Sequence, residues 1–114
     1  MNSVPRKGMA RSDPWPEEEY LRYLAGERHL FAWTLEKYDG FAAPVAKQRA
    51  FEFYPQKPPT DRYRCLVFHD LAWHWAMLQV FGEQYWIARP DLEQPGPEYL
   101  EESQRWEADA LQRR

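Results

Sequence analysis

The sequence predicts a small all-α domain, and three features carry that reading. Apolar residues recur at helical spacing from Tyr20 to Tyr38, and a second long apolar segment runs from Arg62 to Phe81. Prolines and glycines fall between these stretches, where helices begin and end. The expected architecture is an orthogonal packing of three to five helices around a buried central helix, about Arg62 to Phe81, with flexible ends. A chain of 114 residues, 44% of them hydrophobic, suffices for one compact domain and falls short of two. Residues 1–14 read as a disordered tail, 15–92 as the helical domain, and 93–114 as an acidic C-terminal helix, weakly docked or ordered by a partner.

The first helix is announced by Asp13, Pro14 and Pro16 followed by Glu17, Glu18 and Glu19. These supply a capping side chain, prolines that need no donor, and acids at the positive end of the dipole. Tyr20, Leu24, Phe31, Leu35 and Tyr38 share one face, with Leu21 and Trp33 widening it, and Asp39-Gly40 supplies the stop. Gly26 weakens the middle and permits a kink. A second, shorter helix spans Phe41 to Tyr54, with Pro44 in its first turn and Pro55 beyond its end. Phe51 to Tyr54 also fit a period of two, but no partner strand is evident, so helix is favoured.

Gln56-Lys57-Pro58-Pro59 is an extended connector, after which Thr60 or Asp61 can cap the central helix. That helix is apolar on most faces, yet Arg62, Arg64, His69, Asp70 and His74 interrupt it, which excludes a membrane span because charge at membrane depth is costly. Gly82 ends it, and Tyr85-Trp86-Ile87 forms an apolar link. Pro90, Pro95 and Pro97 then bar continuous helix until the last one starts at Pro97. A narrow stripe of Tyr99, Trp106 and Ala110, with Leu100 and Leu111, is all the apolar surface this helix offers.

Composition narrows function. A net charge of −3 argues against coating nucleic acid, which requires surplus Lys and Arg. Cys65 is alone, so neither a disulfide scaffold nor a Cys-rich zinc site can form, and a cytoplasmic location is expected. Six Trp, seven Tyr and six Phe exceed what a small core needs, and aromatic surplus favours interfaces.

Candidate chemistry is sparse. Cys65, His69, Asp70 and His74 form two pairs at helical spacing, but the two stripes lie roughly 140° apart around a helix and cannot converge on one ion. The reading preferred here is that Asp70 accepts a hydrogen bond from His74 and orients it in a packed core. Ser3, Ser12 and Ser103 lie in tails or on a charged helix, and the five glycines form no phosphate loop. Glu17, Glu18 and Glu19 read as a solvated first turn. Arg49 stands beside aromatic surface and can offer its fork to an anionic target, or pair with Glu52.

The order of these features resembles the helical N-terminal half of nitrile hydratase β subunits and the related accessory and thiocyanate hydrolase subunits. The resemblance covers about Glu18 to Leu92: a helix ending in Asp39-Gly40-Phe41, a short Arg-bearing helix ending at Pro55, then Ala72-Trp73-His74-Trp75. It implies a non-metal subunit that embraces a catalytic α-type subunit, whose Cys-rich motif holds low-spin cobalt or iron. This chain itself would bind no cofactor and carry no catalytic residue. Arg49 would bond oxidised cysteine ligands on that partner, though it sits one position off a gap-free match. Phe41, Trp73, His74 and Trp75 would wall the substrate channel.

Leu71-Ala72 stand where that family carries tandem Tyr, and the connector at Gln56 to Thr60 is longer. The chain stops where a full β subunit continues into a barrel-like half, which fits a split subunit or an accessory protein that delivers metal. The competing expectation is an acidic interaction module of the inhibitor or immunity type with no enzymatic role. A stand-alone enzyme ranks last.

Overall fold

The computed structural model describes residues 15–112, so the tail expected over residues 1–14 lies outside the described residues. The described chain is all-α, as expected, and contains no strand and no helix long and apolar enough to cross a membrane. Five helices follow in order: α1 Glu17–Asp39, α2 Ala43–Phe53, α3 Ala72–Phe81, α4 Tyr85–Ala88 and α5 Pro97–Gln112. Short 3₁₀ turns at Leu66–His69 and Pro90–Leu92 join them.

α1 is the hub, against which α2, α3 and α5 all pack. It starts at Pro16, whose carbonyl accepts from the Tyr20 amide, and it stops at Gly40, where φ is +72° and the amide closes on the Glu36 carbonyl. A left-handed φ at that position is what glycine tolerates and other residues resist. Tyr20, Leu24, Phe31 and Leu35 are buried as the spacing predicts. They meet small residues on the partner helices, Ala46 and Ala50 of α2 and Ala72 and Ala76 of α3, each pair one turn apart. Alanine at those positions lets the helix axes approach closely and leaves the volume between them to aromatic rings. Phe31 stacks on Phe53 at 5.0 Å between centroids, and Tyr54 meets Phe31 edge-on.

Helix α2 runs through Phe53 with Pro44 in its first turn, which resolves the residue 51–54 ambiguity in favour of helix. Helix α1 runs on through Gly26. What Gly26 provides is room: a Cβ there would stand 3.2 Å from Trp106 Nε1, so its absence lets α5 lie down on α1.

The expected central helix from Arg62 to Phe81 is corrected. Residues 62–65 are turns, Leu66–His69 is a 3₁₀ turn, and Asp70 and Leu71 are extended, so regular α-helix begins only at Ala72. Two polar anchors account for the break. Arg64 is buried, with its guanidinium 3.8 Å above the Tyr20 ring and Nη1 donating to Glu17 Oε1 at 2.9 Å, and Asp61 Oδ1 accepts the Tyr63 amide at 2.9 Å. Downstream, the buried Glu27 carboxylate accepts the Ala72 amide and so supplies a helix start. Buried charged groups require partners, and satisfying both requires the chain to change direction between them. The apolar link expected at Tyr85-Trp86-Ile87 is likewise the short helix α4.

Helix α5 docks on α1 through a Lys37–Glu98 ion pair at 2.9 Å and through a polar cluster around Glu102. His29 Nε2 and Glu102 Oε2 stand 2.6 Å apart, Arg105 pairs with the other Glu102 oxygen, and the His29 ring stacks on Trp106 at 4.3 Å. Tyr99 adds a buried apolar contact beside Trp33 and Trp73.

Candidate functional site

Trp73, His74 and Trp75 are consecutive helical residues, so they point about 100° apart; each takes a different hydrogen-bond partner, while the His74 and Trp75 rings meet edge-on at 5.2 Å. Trp73 is 2% exposed, with Nε1 donating to the Leu92 carbonyl at 2.8 Å and its ring edge-on to Tyr38 and Tyr99. Trp75 Nε1 donates to the Val67 carbonyl at 3.0 Å while its ring leans on Phe53. His74 Nδ1 hydrogen bonds the Tyr85 hydroxyl at 2.9 Å. The expected Asp70 partner is therefore corrected: Asp70 lies in extended backbone before α3 begins, so the four-residue spacing does not bring it to His74. The same break removes the helical premise of the Cys65, His69, Asp70 and His74 stripes. Among the described residues no three His, Cys, Asp or Glu side chains are grouped to hold a metal ion.

Arg49 and Phe41 do come together, with the guanidinium 4.8 Å from the ring centroid. Arg49 is exposed and makes no ion pair among the described residues; Glu52, its expected partner, accepts from Gln48 instead. No ring contact or hydrogen bond joins the Arg49–Phe41 pair to the Trp73–Trp75 segment.

A different place has the geometry of a site. Between α1 and α5 lies a groove of about 590 Å³, walled by Trp15, Tyr23, Tyr99 and Trp106, with Glu27 in its lining. Glu27 is 6% exposed, and its one hydrogen bond among the described residues comes from the Ala72 amide, 3.1 Å from Oε1 at the start of α3. Two effects compete there. The amide and the positive end of α3 favour the carboxylate, but removal from water favours the acid, and desolvation prevails, raising the carboxyl from 4.5 to about 7.

Three phenols lie in the field of this carboxyl. Burial, then the Glu27 charge, raises both Tyr54 and Tyr99, and burial and Glu27 raise Tyr23. The hydroxyls of Tyr54 and Tyr99 are buried without a hydrogen-bond partner among the described residues. A buried acid shifted into the neutral range beside a cleft is a feature that binding and proton-handling sites share with structural buried carboxyls.

Sequence reasoning passed over Glu27, although a signal existed. Positions 20, 24, 27, 31, 35 and 38 form one continuous α1 stripe, and Glu27 is the charged member of an otherwise apolar face. An acid on a core face requires a buried donor, and here that donor is the first amide of α3.

The fold and the groove define a small all-α domain with an acidic, aromatic-walled cleft. Comparison of the chain with protein-family models, with curated proteins and with solved structures gives no match.

Proposed function

We propose that this chain is a non-catalytic helical subunit or accessory protein that packs on a metal-bearing α-type subunit of an enzyme resembling nitrile hydratase or thiocyanate hydrolase. The observation that carries the reading is the state of Arg49: exposed, held over Phe41 and without an ion pair among the described residues. A guanidinium steadied by an aromatic face, with its donors uncommitted, is prepared to bond an anionic group presented by another chain. The helix that bears it also exposes Val45 and Phe51, about half of each in solvent, as an apolar surround for such a contact. The order of motifs from Glu18 to Leu92 supplies the kind of partner. On this reading cobalt or iron belongs to the Cys-rich motif of that partner, and Trp73 and Trp75 support the shared wall from within this chain's core.

Gentle purification of the tagged chain from its native host, followed by mass spectrometry, tests the proposal. Recovery of a subunit carrying a Cys-x-x-Cys-Ser-Cys-type motif is the expected result. A folded chain recovered alone, or with one target lacking that motif, overturns it in favour of an acidic interaction module. In the assembled complex, Arg49→Ala is expected to lower turnover while leaving the melting of the isolated chain within about 0.5 kcal/mol of wild type, since the residue is exposed.

A further inference from the structure

The groove between α1 and α5 shares no lining residue with the Arg49–Phe41 pair. We infer that it is a binding site for a small organic ammonium ion with a flat apolar body, in which Glu27 is the counter-charge and the aromatic walls hold the body.

Three observations converge on this chemistry. The first is size: about 590 Å³ lies within the range of small-molecule sites, roughly 300–1,000 Å³. The second is charge, because Glu19 and Glu107 join Glu27 in the lining, opposed by Arg22. No cation of the described chain pairs with Glu27, whose only partner is a backbone amide. A buried carboxylate without a counter-ion carries a desolvation cost that an incoming cation relieves.

The third is the nature of the walls. Indole and phenol rings attract organic cations, and Trp15, Tyr23, Tyr99 and Trp106 line the groove together with Glu27. Trp106 is held against α1 by its stack on His29 and by the missing side chain of Gly26, so this wall is preorganised. Inorganic cations do not exploit aromatic walls, and a neutral apolar ligand leaves Glu27 uncompensated. A cation with a flat body satisfies both.

Isothermal titration calorimetry on the full chain at about pH 8, with Glu27 ionised, tests this directly. The probe is 2-phenylethylammonium, and the control is the neutral 2-phenylethanol of the same shape. Saturable one-to-one binding of the ammonium is expected, with the alcohol weaker by about tenfold or more. Glu27→Gln keeps an acceptor for the Ala72 amide and removes the charge, and it is expected to weaken ammonium binding by about tenfold or more while the helical circular dichroism is retained. Leu100→Arg, at an exposed residue of the same lining, adds a repelling charge without touching the core and is expected to act in the same direction. Absence of saturable binding, equal affinity for the alcohol, or affinity unchanged in both variants overturns the proposal.

Discussion

Glu27 of α1 holds the first amide of α3, with Oε1 3.1 Å from the Ala72 nitrogen in a buried environment. One side chain thus ties together the two helices that form the centre of the molecule and decides where the second begins. Glu27 also lines the groove, so packing and the proposed chemistry depend on a single residue.

This carboxyl makes stability depend on pH in a direction opposite to that of most acids. Its folded value of about 7 lies above the ordinary 4.5, so between these values the folded protein keeps a proton that the unfolded chain has lost. Its contribution is complete below pH 4.5, declines as pH rises through the window, and stays lost above 7. The full excursion amounts to about 3 kcal/mol. Urea denaturation at pH 5 and pH 8 is expected to show a loss in wild type that Glu27→Gln largely abolishes. An equal loss in both proteins places the titrating group elsewhere.

Tyr54 is fully buried, and its hydroxyl has no partner among the described residues. Removing an unsatisfied polar atom from a core relieves a desolvation cost of about 1 kcal/mol or more. Tyr54→Phe is therefore expected to raise the urea midpoint without changing the slope. A lower midpoint would mean that the hydroxyl has a partner in solution.

His29 and Glu102 join α1 to α5 across a sequence separation of 73 residues. Glu102→Ala is expected to cost about 1–2 kcal/mol, because it removes a charge-assisted hydrogen bond and releases Arg105 as well. The effect should be local. Amide hydrogen exchange is expected to accelerate over residues 97–112 while α1 and α3 remain protected. Uniform acceleration over all helices would show instead that α5 unfolds only with the whole domain.

Trp73 fills the space between Tyr38, Tyr99 and Leu92 and spends its one donor on the Leu92 carbonyl. Trp73→Phe removes that bond and leaves a void, an expected loss of about 2–3 kcal/mol in chemical denaturation. A loss under about 0.5 kcal/mol would return Trp73 to the list of residues available for a partner's channel.

How much of this was legible in the sequence differs between the helices and the site. Gly40 and Gly82 are read correctly as stops because a glycine after a periodic run is a local signal, and both adopt positive φ. The Arg62 to Phe81 run is misread because apolar content alone cannot register a turn imposed by distant partners. Arg64 is committed to Glu17, 47 positions away, and Ala72 to Glu27, 45 positions away. Propensity is a property of neighbours along the chain, and these anchors are not neighbours. Arg49 and Phe41 lie eight residues apart, and their approach is consistent with the local turn that leads into α2.

The same division separates what the sequence alone determined from what required the tertiary structure. Periodicity, caps and composition sufficed for an all-α chain whose first helix buries Tyr20, Leu24, Phe31 and Leu35, since those depend on spacing within one element. The different hydrogen-bond partners of Trp73, His74 and Trp75, the raised Glu27 carboxyl and the groove it lines were decided only when three helices met. Desolvation has no value in a linear chain; it arises when neighbouring elements exclude water from a charge, and only the packed fold states which charge that is.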